Sequence, residues 1–115
     1  MRALDTFPEI FIYQEAVDMR KQINGLAVIV DKKLGISPFT KTLFIFVNKT
    51  GKLIKLLYWD KTGFALWTKR LEKNRYKLPR FTGKTTPISV NDLCRLLEGY
   101  DIFRGHKELY YTDVA

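Results

Sequence analysis

Apolar residues recur along the chain at helical spacing in one long segment near the N-terminus. Between residues 19 and 34 they follow intervals of three and four, directly after Asp18, a residue type typical of helix N-caps. Gly35 supplies a stop signal, and Pro38 prevents continuation. The pattern therefore predicts a helix over residues 19–34 that is capped by Asp18.

Three apolar runs in the middle of the chain are typical of strands, over residues 42–47, 53–59 and 64–71. They are joined by two almost identical tetrapeptides, Asn-Lys-Thr-Gly at 48–51 and Asp-Lys-Thr-Gly at 60–63. Asn or Asp first and Gly fourth is the residue preference of a type I turn in a short hairpin loop. The middle third is therefore predicted to form an antiparallel β-meander.

Further elements flank the meander. Residues 10–13 predict a first strand, 76–78 a short later one, and 82–87 a loop. Ser89 followed by Asp92 resembles a capping box and predicts a short helix through residue 97, closed by Gly99.

The resulting fold class is α+β: an antiparallel meander of about four to five strands, an N-terminal helix and a short C-terminal helix. The length of 115 residues suits one domain, with a core over about 9–101 and a loosely ordered tail over 102–115.

Both faces of the predicted sheet are largely apolar, because Lys55 is the one charged residue among positions 43–47 and 53–59. Each face must therefore be covered. The two helices can lie on opposite faces, or one face can pack against a partner subunit in a homodimer, and the pattern does not choose between these arrangements.

Positive charge changes this picture because of where it lies. The chain carries +8 overall, yet residues 41–84 alone hold twelve Lys and Arg against Asp60 and Glu72. Such a block attracts polyanions at long range, so nucleic acid is a candidate partner. The alternative is an ordinary solvated face that serves solubility.

The meander geometry predicts where these cations gather. The 48–51 turn and the segment after residue 71 lie at one end of the sheet and Lys61 at the other, because successive hairpin tips alternate between the ends. The candidate nucleic-acid contacts are Arg20, Lys21, Lys49, Lys52, Lys55, Lys69, Arg70, Lys73, Arg75 and Lys77. The candidate aromatic contacts are Tyr58, Trp67 and Tyr76, for which core packing is the alternative.

Residue patterns that would support catalysis are weak in this chain. Cys94 and His106 form a conceivable nucleophile pair, but Cys94 is predicted to be a buried structural thiol beside Leu93 and Leu97. The acidic residues show no ligand spacing, so neither a metal site nor a cofactor is expected. With no long apolar segment, the sequence predicts a non-enzymatic cytoplasmic protein that does not enter a membrane.

Several linked blocks resemble the TnpB-type accessory proteins of bacterial insertion sequences, which are unrelated to the RNA-guided nucleases of the same label. The resemblance covers about residues 9–101, and Leu78 departs from it by standing where the family usually has Trp. The matching blocks, in chain order, are Asp18-Met19-Arg20-Lys21, Ile23-Asn24-Gly25-Leu26-Ala27, Pro38-Phe39, Leu43-Phe44-Ile45-Phe46, Lys55-Leu56-Leu57-Tyr58-Trp59-Asp60, Gly63-Phe64, Leu66, Lys69-Arg70-Leu71-Glu72 and Leu96-Leu97-Glu98-Gly99.

The resemblance implies a helper in DNA transposition, encoded beside a separate transposase. DNA, in particular transposon ends, and the transposase of the same element are the partners it implies. Two functions remain open at this point. The protein binds DNA through the basic meander surface, or it docks on the transposase without touching DNA.

The block that begins with Asp18 also has a local interpretation. A cation such as Arg20 at a helix N-terminus opposes the helix dipole, which is an unfavourable local choice. The sequence leaves two explanations, a phosphate clamp or an ion pair of Arg20 with Asp18 or Glu15.

Overall fold

A computed structural model describes residues 4–73, 75–76 and 85–98 of the chain. Five strands form one sheet: β1 (Glu9–Tyr13), β2 (Thr42–Val47), β3 (Leu53–Asp60), β4 (Gly63–Arg70) and β5 (Thr85–Pro87). Their order across the sheet is β4-β3-β2-β1-β5. Two α-helices accompany the sheet, α1 (Ile23–Val28) and α2 (Val90–Leu97), and a short 3-10 turn, Leu4–Thr6, precedes β1.

The predicted meander is present, because β2, β3 and β4 pair antiparallel in sequence order. The sheet as a whole is mixed, however, and this corrects the expectation of a purely antiparallel one. Strand β1 pairs parallel with β2, with Glu9 opposite Thr42, because α1 carries the chain back across the sheet between them. The α+β class is confirmed.

Strand β5 corrects a second expectation. Residues 85–87 were predicted as loop, yet they pair antiparallel with β1, with Phe11 opposite Pro87. Three residues ending in Pro carry almost no strand signal, and Pro is tolerated there because β5 is an edge strand. Of the predicted strand at 76–78, Tyr76 lies outside any strand and 77–78 lie outside the described residues.

The first helix is shorter than its apolar pattern. Asp18 does not cap it: its Oδ1 accepts the N–H of Arg20 at 2.9 Å and its carbonyl accepts the N–H of Lys21 at 3.0 Å, which closes a separate turn. The helix begins at Ile23 with Gln22 as N-cap, so Arg20 and Lys21 precede it.

The end of this helix agrees with the sequence. A π-helical segment, Ile29–Lys33, follows α1. Gly35 then adopts φ +66°, and the N–H of Ile36 reaches the carbonyl of Val30 at 3.1 Å. A left-handed glycine directly after the last turn is a usual helix stop, and the bond spans seven residues rather than six because the preceding turn is π-helical.

Each face of the sheet has its own helix, as in the first of the two arrangements left open above. Leu93 and Leu96 of α2 pack with Ile10, Ile45 and Leu56 on one face. On the other face, residues of α1 and the π-helical segment pack with β1, β2 and β3, including Leu26, Val30, Tyr13, Phe44, Phe46 and Leu57. Helix α2 is capped as predicted, since Ser89 Oγ accepts the N–H of Asp92 at 3.1 Å.

Candidate nucleic-acid interface

One end of the sheet joins the 48–51 turn to the segment that follows β4. The N–H of Leu71 donates to the carbonyl of Lys52 at 2.8 Å, and the N–H of Tyr76 donates to the carbonyl of Gly51 at 2.6 Å. Arg75 Nη1 donates to the carbonyl of Thr50 at 3.3 Å. These bonds hold together two segments that are about twenty residues apart in sequence.

Cations from both segments therefore share this end. We call Lys49, Lys52, Arg70, Lys73 and Arg75 the basic end. The geometric prediction that these side chains come from segments at the same end is confirmed, because Leu53 pairs with Arg70 and Lys61 lies beyond the opposite pair of Asp60 and Gly63. Lys49, Arg70, Lys73 and Arg75 are exposed, and Lys52 is half-buried.

Gly51 makes the close approach of the two segments possible. Its φ is +75°, and a Cβ on it would lie 2.7 Å from the carbonyl oxygen of Tyr76 and 3.2 Å from the Cβ of Arg75. Both the left-handed backbone and the contact with a neighbouring main chain require glycine. The turn glycine is thus also a packing residue of the basic end.

Few carboxylates offset this charge. Arg70 Nε lies 3.7 Å from Glu72 Oε1 in an exposed pair, which is worth little in water. Within the described residues, Lys49, Lys52, Lys73 and Arg75 form no ion pair with any carboxylate. A phosphate would meet these four cations without displacing an acidic partner.

Arg20 and Lys21 stand in a loop that is tied to the same end. The N–H of Val17 donates to the carbonyl of Val47 at 3.0 Å, and Val47 directly precedes the 48–51 turn. The Asp18 carboxylate pairs with the Arg20 guanidinium at 2.6 Å, so the ion pair that the sequence suggested is present. That hydrogen-bonded pairing lowers the pKa of Asp18 to about 2.

Lys55 is buried and does not lie on the surface, contrary to the prediction. It was predicted to contact nucleic acid, but it is 4% exposed, and its Nζ donates to the carbonyls of Met19 at 2.9 Å and Lys21 at 3.0 Å. It lies on the sheet face covered by α1, opposite Phe46 on β2 and Thr68 on β4. Its ammonium is committed to the backbone and does not reach the surface.

Lys69 also donates to a backbone carbonyl, but on the opposite face of the sheet. Its Nζ donates to the carbonyl of Leu97 at 2.7 Å, at the C-terminal end of α2, where a cation also favours the helix dipole. Lys69 and Arg70 are consecutive strand residues and therefore point to opposite faces of the sheet. Lys77 lies outside the described residues.

The aromatic candidates belong to the core rather than to the surface. Tyr58 is buried and stacks edge-to-face on Phe7, with ring centroids 5.1 Å apart. Tyr76 is 3% exposed, and burial raises its pKa to about 12. Trp67 is partly buried against the same cluster. Base stacking on Tyr58 or Tyr76 is excluded by this packing.

An aromatic group at the far end of the sheet was missed by the sequence analysis. Phe39 is 59% exposed and lies 5.0 Å from Trp59 and 5.5 Å from Phe64 between ring centroids. It borders a shallow cavity of about 410 Å³, which Val28 on α1 also lines. The signal was an aromatic residue in a Ser-Pro loop, where no strand or helix pattern calls for one.

Cys94 and His106 are the residues that the sequence offered as a nucleophile pair. Cys94 is exposed, which corrects the prediction of a buried thiol: it lies on the side of α2 away from Leu93 and Leu96. His106 lies outside the described residues. No group of three or more His, Cys, Asp or Glu close enough to share a metal ion occurs within 4–73, 75–76 and 85–98. No helix in that part of the chain is long and apolar enough to cross a bilayer.

Comparison with known proteins gives these features a context. Residues 8–107 match the family model described as IS66 Orf2 like protein. The chain is similar to the uncharacterized protein y4hO of Sinorhizobium fredii strain NGR234, with 35% identity over 92 residues that make up 80% of each chain. It is also similar to y4jC of the same strain, with 29% identity over 92 residues, 80% of this chain and 79% of the relative. No solved structure matches the chain significantly.

Proposed function

Since the chain belongs to the IS66 Orf2-like family, which implies an accessory role in the transposition of such elements, we propose that it binds DNA through the basic end. In this proposal the protein performs no chemistry on the DNA. It contacts the phosphates of the element, and the transposase of the same element carries out strand transfer.

The observation that carries the proposal is the pairing of two basic segments by main-chain hydrogen bonds. Lys49 and Lys52 on one segment and Lys73 and Arg75 on the other are held together through Gly51 and Tyr76. A phosphate backbone carries regularly spaced charges, so a rigid group of cations binds it with less loss of side-chain freedom than scattered lysines do.

The charges also predict how binding responds to salt. On duplex DNA, each phosphate that a Lys or Arg neutralises makes the slope of log K against log salt more negative by about 0.9. If the four cations named above each contact a phosphate, replacing all four by Gln should make this slope less steep by about 3 to 4.

The test compares two variants of equal charge. One is K49Q/K52Q/K73Q/R75Q; its matched control is K32Q/K33Q/K41Q/K61Q, four exposed lysines outside the basic end. Fluorescence anisotropy is measured at two salt concentrations with a labelled duplex from the end of an IS66 element and with a scrambled duplex. We expect the first variant to lose most of the affinity and of the salt slope, and the control to retain both.

Two results would contradict the proposal. If the wild type binds neither duplex at low salt, the protein does not bind DNA by itself. If both variants lose affinity equally, binding follows net charge and the basic end has no special part. Circular dichroism melting of each variant shows that the comparison is made between folded proteins.

A second candidate function rests on the aromatic group at the far end. Val28 and Phe39 are large apolar side chains that are 56% and 59% exposed, and exposed apolar groups of this kind are common at protein interfaces. In this candidate the protein docks on the transposase. A pull-down with purified transposase, with nuclease present, should succeed for the wild type and fail for Phe39→Ser.

A further inference from the structure

Lys55 is an unusual residue for the place it occupies. It stands on β3, an inner strand of the sheet, on the face covered by α1, and is 4% exposed. Its Nζ bonds two carbonyl oxygens, those of Met19 and Lys21, and within the described residues it forms no ion pair with a carboxylate. Within the described residues, the hydrogen-bond partners of this charge are therefore both backbone carbonyls.

Such a site is costly for an ammonium group. Removing a charge from water is unfavourable unless hydrogen bonds and an opposite charge replace the lost solvation. A methionine has about the same length and would pack between the apolar residues of this face without that cost. We therefore expect the role of this lysine to lie in the segment that its two hydrogen bonds hold in place.

What they hold is the loop of residues 17–21. In a helix that began at Met19, the carbonyls of Met19 and Lys21 would accept the N–H groups of Ile23 and Gly25. Lys55 bonds both oxygens instead, which fixes the segment on the sheet ahead of the helix. The second anchor of the loop is the bond from the Val17 N–H to the Val47 carbonyl.

The loop carries two exposed cations at the basic end. The Arg20 side chain is 91% exposed, and Lys21 is exposed as well. Asp18 shapes the turn between the anchors, with its Oδ1 on the Arg20 N–H at 2.9 Å. Because Val47 directly precedes the 48–51 turn, this loop and that turn are neighbours at one end of the sheet.

From this arrangement we infer that Lys55 is a positioning residue. It holds the 17–21 loop so that Arg20 and Lys21 extend the basic end into one polyanion-binding surface of three segments. The inference rests on the proposed DNA binding. In this arrangement Lys55 never touches DNA, and it acts through Arg20 and Lys21.

A double-mutant cycle tests this coupling. K55M is compared with the wild type, and K55M/R20Q/K21Q with R20Q/K21Q, by anisotropy on the labelled element-end duplex. We expect R20Q/K21Q and K55M each to weaken binding about five- to tenfold. In the R20Q/K21Q background, K55M should have less than a twofold effect, because the loop no longer carries the cations that it positions.

Lys69 provides the matched control, since it also donates to a backbone carbonyl. K69M removes the same charge and a similar bond, but from the opposite face of the sheet. Its effect on affinity should be the same in both backgrounds. If K55M behaves like K69M, with equal effects in both backgrounds, Lys55 does not act through the loop and the inference fails.

A readout without DNA tests the anchor itself. Trypsin cleavage after Arg20 and Lys21, followed by mass spectrometry, should be at least several-fold faster in K55M than in the wild type and in K69M. An unchanged rate would overturn the positioning role. If K55M does not fold, R20Q/K21Q still tests whether the loop contacts DNA. An affinity equal to that of K32Q/K33Q would show that the loop is not part of the DNA-binding surface, and the inference would fail.

These outcomes separate the inference from the proposal on which it rests. A wild type that binds no DNA refutes the proposed function, and the three-segment surface with it. A wild type that binds DNA while K55M and R20Q/K21Q act independently refutes the positioning role and leaves the basic end intact.

Discussion

The two hairpin turns of the meander have almost the same sequence and different structures. In the 48–51 turn, the fourth residue, Gly51, takes the left-handed conformation with φ +75° and is buried. In the 60–63 turn the second residue, Lys61, takes it instead with φ +53°. Gly63 is an ordinary strand residue there and pairs with Asp60.

The first residue of each turn accounts for part of the difference. Asn48 Oδ1 accepts the N–H groups of Lys52 and Leu53, both at 3.0 Å, and so holds a longer loop open. The Asp60 side chain forms no such bond with any described residue, and the strands pair up to Asp60 and Gly63 with two residues between.

Tertiary contacts account for the rest of the difference between the two turns. The chain that follows β4 returns against Gly51, whereas among the described residues nothing but the chain neighbours of Gly63 lies within 4 Å of a Cβ built on it. A tetrapeptide therefore predicts that a turn occurs, and its surroundings decide which residue bends the chain and what the turn is used for. Only the first turn belongs to the basic end.

The largest expected difference between the turns is at their glycines. Gly51→Ala should lower the free energy of unfolding by about 2 to 4 kcal/mol, because it adds left-handed strain to a clash with the Tyr76 main chain. Gly63→Ala should change it by less than about 1 kcal/mol, since strand geometry and open space accept a methyl group. Urea denaturation of both variants measures this, and equal losses would contradict the role given to Gly51.

The next difference is at the first turn residue. Asn48→Ala removes two side-chain hydrogen bonds to the backbone and should cost about 1 to 2 kcal/mol. Asp60→Ala removes none within the described residues and should cost less than about 0.5 kcal/mol. Asn48→Asp keeps an acceptor and should fall between them. Thermal or urea unfolding decides the order, and a larger cost for Asp60→Ala would reverse the account of the two turns.

Alkaline pH should act through the first turn, because Tyr76 packs against it. Burial raises the pKa of Tyr76 from 10.0 to about 12, so between these values the unfolded chain releases a proton that the folded chain keeps. The stabilising contribution is complete below pH 10 and is lost as the pH rises towards 12, by at most about 1.4 kcal/mol per pH unit.

The Tyr76→Phe variant separates this residue from Tyr13, whose pKa is also raised to about 12, first by burial and then by its bond to Glu15. Stability measured between pH 9 and 11 should fall less steeply in the variant. It should be no lower than wild type at neutral pH, because none of the described residues bonds the buried Tyr76 hydroxyl. An unchanged slope would mean that Tyr76 does not carry the effect.

The smallest expected difference is at the lysines of the turns. Lys49→Gln should weaken binding to the element-end duplex about two- to fourfold, the effect of one exposed phosphate contact. Lys61→Gln, with the same charge change at the other end, should weaken it less than 1.5-fold. Anisotropy at low salt resolves this, and equal effects would mean that DNA does not distinguish the ends of the sheet.

The sequence predicted the sheet better than it predicted the site. Strand β2 and the cap of α2 at Ser89 were predicted to the residue, and β3 and β4 to within one residue at each end, because alternation and capping are local properties. The parallel pairing of β1 and the strand β5 were missed. Pairing partners are chosen by long-range contacts, and three residues ending in Pro87 carry no strand signal.

At the candidate site, too, local features were predicted and long-range contacts were not. Charge counting located the block of cations, and meander topology assigned the 48–51 turn and the segment around Arg75 to the same end. Neither property distinguished Lys55 from Lys52, because the sequence does not show whether a lysine ammonium lies in solvent or on a backbone carbonyl. The predicted start of the first helix at Met19, capped by Asp18, was wrong for the same reason, since Lys55 bonds the Met19 carbonyl from 36 residues away.

By itself, the sequence determined where strands, turns and charge occur along the chain, because periodicity, capping and residue type act over a few neighbouring residues. The tertiary structure decided which cations face solvent, which of two nearly identical turns closes on another segment, and where the first helix begins. These depend on hydrogen bonds and packing between segments that are distant in sequence, and only the folded chain brings such segments together.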